Sequence, residues 1–387
     1  MPQIKRFRPR LRTRKAHGDW TLDPFVLARV NQFRLLSARV FGVFSTMPAP
    51  VVFAAGLTIV LAVGVVDYVT GPVLSLTVFY LVPIALVAWL LGRGAGTALA
   101  LIACLTTGVA DWLASAAVKR PPVSYWNDAS LLAIFLAVVF LVTVLRATWT
   151  YDAKLVAEVQ ASLLPAGLPP VAGCDIAGEW RPAGNVGGDY YDVLPMPDGS
   201  LALCVADVSG KGMPAALLMS NLQAGVRALL GNGVQLSRLV SRLNALTARN
   251  VQAGRFITLF IGVMDPSRRR LTFCNAGHNA ALLVRSDGSC QRLSTGGPVL
   301  GVLEGAVFAE KQVRVGPGDR LIAYTDGVTE RGAAHGEEFG EARLIELARA
   351  NRARDAAGLR DAIIDSVTRF GAGPFEDDLT VLVLAVT

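Results

Sequence analysis

Four apolar stretches, at 51–70, 72–91, 95–117 and 129–145, constrain this chain more than any other feature. Each is close to the ~20 residues that a helix needs to cross a hydrocarbon core. They predict an all-α transmembrane four-helix bundle, in keeping with a mean hydropathy of +0.45. The first stretch lies too far along the chain, and lacks the small-residue cleavage pattern, to read as a secretory signal.

Charge divides the chain in the same place. Residues 1–150 hold 14 Lys/Arg against 5 Asp/Glu, and residues 151–387 hold 23 against 25. The excess is concentrated in Lys5, Arg6, Arg8, Arg10, Arg12, Arg14 and Lys15, ahead of the first apolar stretch. That position reads as an arm facing lipid headgroups, with no nucleic-acid partner. With Arg93 in the second connection and Arg146 closing the fourth stretch, the Lys/Arg bias places both ends of the bundle in the cytoplasm; Lys119 and Arg120 are an exception on the outer side. Asp67 and Asp111, at span ends, are candidates for sensing a ligand or ion. The five cysteines have no C-x-x-C spacing, which argues against structural zinc and a disulfide framework.

Residues 147–164 contain no Gly or Pro and repeat Tyr151, Leu155 and Val159 at i+4 spacing. They predict an amphipathic helix that continues out of the last span, ended by Pro165, with a stripe suited to pairing two copies of the chain.

Beyond this helix the chain changes character. The runs at 189–193 and 201–208 flank Pro197-Asp198-Gly199, a strong turn signal, and predict a β-hairpin. Asp189 and Asp207 are equidistant from the turn and therefore face one another at its open end. Gly187 and Gly188 before them, and Gly210 and Gly212 after, leave room for close approach. Two facing buried carboxylates repel unless a cation lies between them. Thr325-Asp326-Gly327 ends another apolar strand, and Glu376-Asp377-Asp378 opens the last one. Oxygen donors supplied from four strand ends suit hard divalent ions such as Mg²⁺ or Mn²⁺ rather than zinc.

The series VGGDYYDV, VADVSGKGMPAALLMS, CNAGHN, YTDGVTE and DDLTVLVL, with the lead-in VQASLLPAGLP, resembles the SpoIIE-type serine phosphatases, a bacterial branch of the metal-dependent PPM protein phosphatases. The resemblance covers residues 155–387 and implies an α+β fold, a four-layer α-β-β-α sandwich. It also implies two Mn²⁺ or Mg²⁺ ions held by Asp189, Asp207, Asp326 and Asp377, with the Val208 carbonyl as a further ligand and Asp378 behind them. It implies phosphoserine or phosphothreonine as substrate, on a partner such as a STAS-type anti-sigma-factor antagonist. Eukaryotic PPM enzymes hold the phosphate with an Arg, for which Arg181 is the nearest candidate here. His278 and the two asparagines around it are expected to fix a turn, and Asp192 to cap the loop.

Two other readings of these motifs fail on spacing. In diguanylate cyclases the Gly-Gly-Asp sequence sits at a hairpin turn and is followed by an acidic residue and Phe, whereas Tyr190-Tyr191 lead straight into a strand. Ser209-Gly210-Lys211-Gly212 lacks the first Gly and the closing Ser/Thr of a phosphate-binding loop, and reads as a tight turn into a helix at 213–230. A catalytically inactive, phosphatase-like membrane receptor is the alternative to an enzyme. The expected organisation is a basic arm (1–49), a membrane module (50–146), a linker helix (147–165) and a phosphatase domain (166–387), in a homodimer at the bacterial inner (plasma) membrane with the domain cytoplasmic.

Overall fold

The computed structural model describes residues 47–70, 76–114 and 122–387, apart from positions 232, 252, 253, 266, 268, 334, 335 and 372. The basic arm up to residue 46, the start of the second apolar stretch, and Lys119 and Arg120 lie outside the described residues. The chain divides into two units at Trp149/Thr150.

The N-terminal unit is helical: α1 (Ala49–Thr70), α2 (Thr77–Leu91), α3 (Arg93–Ala114) and the first part of α4 (Pro122–Leu163). Val60, Tyr80, Ile84, Val87, Leu99, Ala103, Phe135 and Val139 make one buried core across all four helices. Among the described residues, three helices are long and apolar enough to cross a membrane: Ala49–Thr70, Arg93–Leu113 and Tyr125–Leu163. The expected second span begins outside the described residues; its described part, α2, has 15 residues and rises about 22 Å, against the ~30 Å of a hydrocarbon core. The fourth span and the linker are one continuous helix of 42 residues, with no Gly or Pro after Pro122 to break it.

The C-terminal unit contains two sheets. Strands β1 (Cys174–Arg181), β11 (Leu379–Val386), β10 (Arg320–Tyr324), β6 (Ala281–Val284) and β7 (Cys290–Leu293) form the first, in that order. Strands β2 (Tyr190–Pro195), β3 (Leu201–Val208), β4 (Ile257–Asp265), β5 (Arg270–Ala276) and β8 (Gly296–Gly297) form the second, with β9 (Lys311–Arg314) also on β5. Helices α5 (Met213–Leu229) and α6 (Leu236–Asn250) cover the second sheet; α8 (Gly340–Ala350) and α9 (Ala356–Phe370) cover the first, and the short α7 (Asp326–Thr329) follows β10. The result is the expected α-β-β-α order. Leu-Thr-Val-Leu-Val-Leu-Ala-Val of β11 is buried at every position, since one face meets the other sheet and the other meets helices. A strand covered on both faces reads as an unbroken apolar run rather than as an alternation. The inner faces of both sheets share a core with α5 and α6, including Leu203, Val205, Phe260, Phe273, Leu382 and Leu384. A second core lies under α8 and α9 around Ile322, Tyr324, Ile363, Val381 and Val383.

Candidate active site

The hairpin forms as its turn chemistry requires. Asp198 Oδ1 accepts from Ser200 N and Oγ at 3.0 and 2.6 Å, and Gly199 takes φ 79°, the left-handed value such a turn favours. Tyr190 stands opposite Ala206 and Tyr191 opposite Val205. That register places Asp189 opposite Asp207, on one face.

Each carboxylate is held differently. Asp189 is 1% exposed, and its Oδ2 accepts from the hydroxyls of Thr325 (2.7 Å) and Thr380 (2.6 Å). Thr325 Oγ1 also accepts from Thr380 N at 2.9 Å, which locks the ends of β10 and β11 together beneath the acid. Burial, then the Asp207 charge, hold the Asp189 carboxyl well above the usual range, while the two hydroxyls pull it back. Burial, followed by the charges of Asp326, Asp377 and Asp378, pushes Asp207 up to about 7, with Lys211 opposing. Asp326 is raised by burial and then by Asp377. These four acids, expected from separate segments, thus form one electrostatic cluster at the strand ends.

Asp378 faces inward as a clamp. Its Oδ1 accepts from Ala183 N at 2.8 Å and its Oδ2 from Gly188 N at 2.6 Å. This answers why two glycines precede Asp189. A Cβ on Gly187 would stand 2.5 Å from Asp378 Oδ2, and one on Gly188 would stand 2.9 Å from the Val208 carbonyl oxygen. Both are closer than real Cβ contacts allow, so the carboxylate and the carbonyl can line the loop only if both residues are Gly.

The donors present are hard oxygens, mutually repelling and partly buried, and their chemistry fits divalent cations. Among the described residues no three acidic, His or Cys side chains close around a point tightly enough to enclose an ion as they stand. Holding an ion would require the carboxylates to draw inward.

Other expected residues find structural roles. Asp192 does not cap the loop: it is 1% exposed, accepts from Tyr190 Oη at 2.8 Å and pairs with Arg227 Nε of α5 at 2.8 Å, fastening that helix to β2. Arg181 ends β1 opposite Leu379, and its Nε bonds Glu179 Oε1 at 3.0 Å. Around His278 the turn is fixed by Asn275, whose Oδ1 accepts from His278 N (2.7 Å) and whose Nδ2 donates to His278 O (3.0 Å). The imidazole Nδ1 lies 2.8 Å from Thr258 Oγ1, on the residue opposite Asp207.

Burial lowers the His278 pKa to about 4, against the pull of the Tyr324 carbonyl. The fold therefore holds the ring neutral, contributing stability that is present above the unfolded pKa of ~6.5 and lost as pH falls through about 4. Full-length protein is expected to lose on the order of 3 kcal/mol through this group on acidification. His278→Gln should flatten the melting temperature against pH over this window; an unchanged profile would contradict the assignment.

Five residues in and around the site were not evident from the sequence. Thr325 and Thr380 lie inside the quoted YTDG and DDLT motifs, but only the register of β10 and β11 aims both at Asp189. Arg331, 3% exposed, donates to the carbonyls of Gly371, Gly373 and Pro374 and so shapes the loop leading to Asp377. Gln160 of α4, 2% exposed, grips Gly187 from both sides: Nε2 donates to Gly187 O at 2.5 Å, and Oε1 accepts from Gly187 N at 3.0 Å. Gln223 of α5 donates to Leu163 O at 3.1 Å. The end of α4 is thus tied both to the loop before Asp189 and to the helix after Asp207.

Residues 197–387 match the family model of stage II sporulation protein E (SpoIIE). The chain is 30% identical over 236 residues to phosphoserine phosphatase RsbU of Bacillus subtilis (strain 168), covering 60% of this chain and 69% of that protein. It is 30% identical over 221 residues to protein IcfG of Synechocystis sp. (strain ATCC 27184 / PCC 6803 / Kazusa), covering 50% of this chain and only 35% of IcfG. Among solved structures, the RsbU and RsbW domains of Rv1364c from Mycobacterium tuberculosis align with a TM-score of 0.50 at 28% identity, over 58% of this chain and 63% of that one. The SiaA-PP2C domain of Pseudomonas aeruginosa aligns with a TM-score of 0.55 at 22% identity, over 62% of this chain and 98% of that one, a likeness of fold.

Proposed function

The chain belongs to the SpoIIE-type branch of the PPM protein serine phosphatases, and from that premise we propose that it is a membrane-anchored, metal-dependent enzyme that hydrolyses phosphoserine or phosphothreonine on a partner protein. The observation that carries this reading is the placement of Asp189 opposite Asp207 across the β2–β3 hairpin, joined through Thr325 and Thr380 to the ends of β10 and β11 that carry Asp326 and Asp377. Asp189, Asp207, Asp326, Asp377 and the Val208 carbonyl would hold two Mn²⁺ or Mg²⁺ ions, with Asp378 securing the loop behind them. When bound, such a pair supplies an activated water and countercharge for the phosphoryl group. The residues' own part is positional. Thr325 and Thr380 orient Asp189, Asp378 and Gln160 fix the glycine loop, and Asp192 with Arg227 ties the last turn of α5 to β2.

The partner proposed is a phosphorylated anti-sigma-factor antagonist of STAS type, by analogy with the sigma-factor branch of the family. The helical unit anchors the chain in the bacterial inner membrane with the C-terminal unit in the cytoplasm, and the basic arm faces lipid. Tyr151, Leu155 and Val159 of α4 are all exposed, which supports pairing with a second copy. A signal reaching α4 would act on catalysis through Gln160.

Gln160→Ala strips a buried N–H and C=O of their partners, at about 1–3 kcal/mol each. It should lower phosphatase turnover at least tenfold, with a lower melting temperature; unchanged kinetics would exclude the relay through this residue. For the activity itself, full-length protein in nanodiscs should release phosphate from a phosphoserine peptide with Mn²⁺ and not after chelation. Partner binding without turnover would identify an inactive receptor instead.

A further inference from the structure

The turn Ser209-Gly210-Lys211-Gly212 brings a cation to the edge of the acidic cluster. Lys211 Nζ lies 2.9 Å from Asp377 Oδ2 and also donates to the Glu376 carbonyl. Its charge opposes the upward shifts of both Asp207 and Asp326.

The turn is built to present this side chain. Gly210 and Gly212, on either side of it, take φ 92° and 76°, values that L side chains adopt only with strain. Its base is fixed to the strand that follows β3 in the sheet: Ser209 N donates to Phe256 O at 3.0 Å, and Phe256 N donates to Ser209 Oγ at 2.8 Å. The Lys211 side chain nonetheless remains 61% exposed. A cation needed only to neutralise buried acids would be expected inside the cluster; this one stands at its mouth, where a protein-borne phosphoryl group must enter.

We propose that Lys211 is a substrate-binding residue that anchors the phosphoryl oxygens, the role the sequence suggested for Arg181. The inference rests on the cluster being a phosphatase centre. A phosphoryl group approaching several carboxylates needs positive charge at its outer side, and an ammonium supplies it as a point charge with three donors. An ion ligated by Asp377 would take the oxygen that now accepts from Nζ. The Glu376 carbonyl would then keep the ammonium in place, with its other N–H groups directed to the anion. Arg181 is engaged with Glu179 two residues away in its own strand and makes no such contact with the cluster.

The test uses full-length, Mn²⁺-loaded protein in nanodiscs, with inorganic phosphate binding followed by calorimetry and phosphoserine-peptide hydrolysis followed in parallel. Lys211→Met should weaken phosphate binding and raise KM by at least about tenfold, the order of one charge-assisted hydrogen bond, while kcat changes much less. Lys211→Arg should restore most of both, and Arg181→Met should leave both nearly unchanged. Mn²⁺ affinity of Lys211→Met should be equal or tighter, because Asp377 loses a competing partner. Wild-type phosphate affinity in Lys211→Met, weaker Mn²⁺ binding in that variant, or no phosphate binding by the wild type would each overturn the inference. Lys211-dependent phosphate binding in a protein without turnover would support the anchor and defeat the phosphatase reading; turnover with Lys211-independent phosphate binding would do the reverse.

Discussion

Asp207→Asn is expected to lower hydrolysis of a phosphoserine peptide by at least about a thousandfold, as weakened hold on the ions that supply countercharge at a phosphoryl-transfer centre should, and at the same time to make the metal-free protein more stable. The two effects share a cause. Asp207 is pushed up to about 7 by burial and by three neighbouring acids, so the folded state favours its protonated form. A raised carboxyl pKa contributes stability that is fully present below the unfolded value of 3.8 and is lost as pH rises through about 7. At pH 8 the charge therefore opposes folding, and asparagine removes that penalty. Thermal unfolding of the metal-free, full-length proteins at pH 8 should show the variant melting higher, and Mn²⁺ should raise the melting temperature of the wild type far more than that of the variant. A variant that retains turnover, or that melts lower, would contradict the role assigned to Asp207.

The second large effect is expected from the threonine pair. Thr325→Val with Thr380→Val keeps volume and burial but removes both hydroxyls from Asp189 Oδ2, leaving a carboxylate that is 1% exposed without the two donors that favour its charged form. Its pKa should climb further, because a buried carboxylate without donors is driven toward the neutral acid. Turnover should fall about a hundredfold or more, and the residual rate should recover as pH is raised. Each single variant should retain one donor and lose much less. Equal losses in the singles and the double would show that the threonines act through packing of β10 on β11 instead.

What was legible in the chain follows from the range of each interaction. The Asp189–Asp207 pairing could be read because one short turn, Pro197-Asp198-Gly199, sets the register of both strands. The four acids stood out because each lies at one end of an apolar strand. Gln160 could not be read in the same way: its partner, Gly187, lies across a proline-containing connection, and nothing local to either residue requires the other. Asp192 was misplaced for the same reason, since Arg227 comes from the last turn of α5 and its approach depends on how that helix lies on the sheet. Lys211 looked like a residue of a connecting turn because the strand end that it faces, at Asp377, is more than 160 positions away.

The most direct test of the account is calorimetric titration of Mn²⁺ into the full-length protein in nanodiscs, alongside the variants Asp207→Asn and Asp377→Asn. Two ions per chain in the wild type, with at least one lost in each variant, is the predicted result. Fewer than two ions in the wild type, or a stoichiometry and affinity that neither substitution alters, would contradict it.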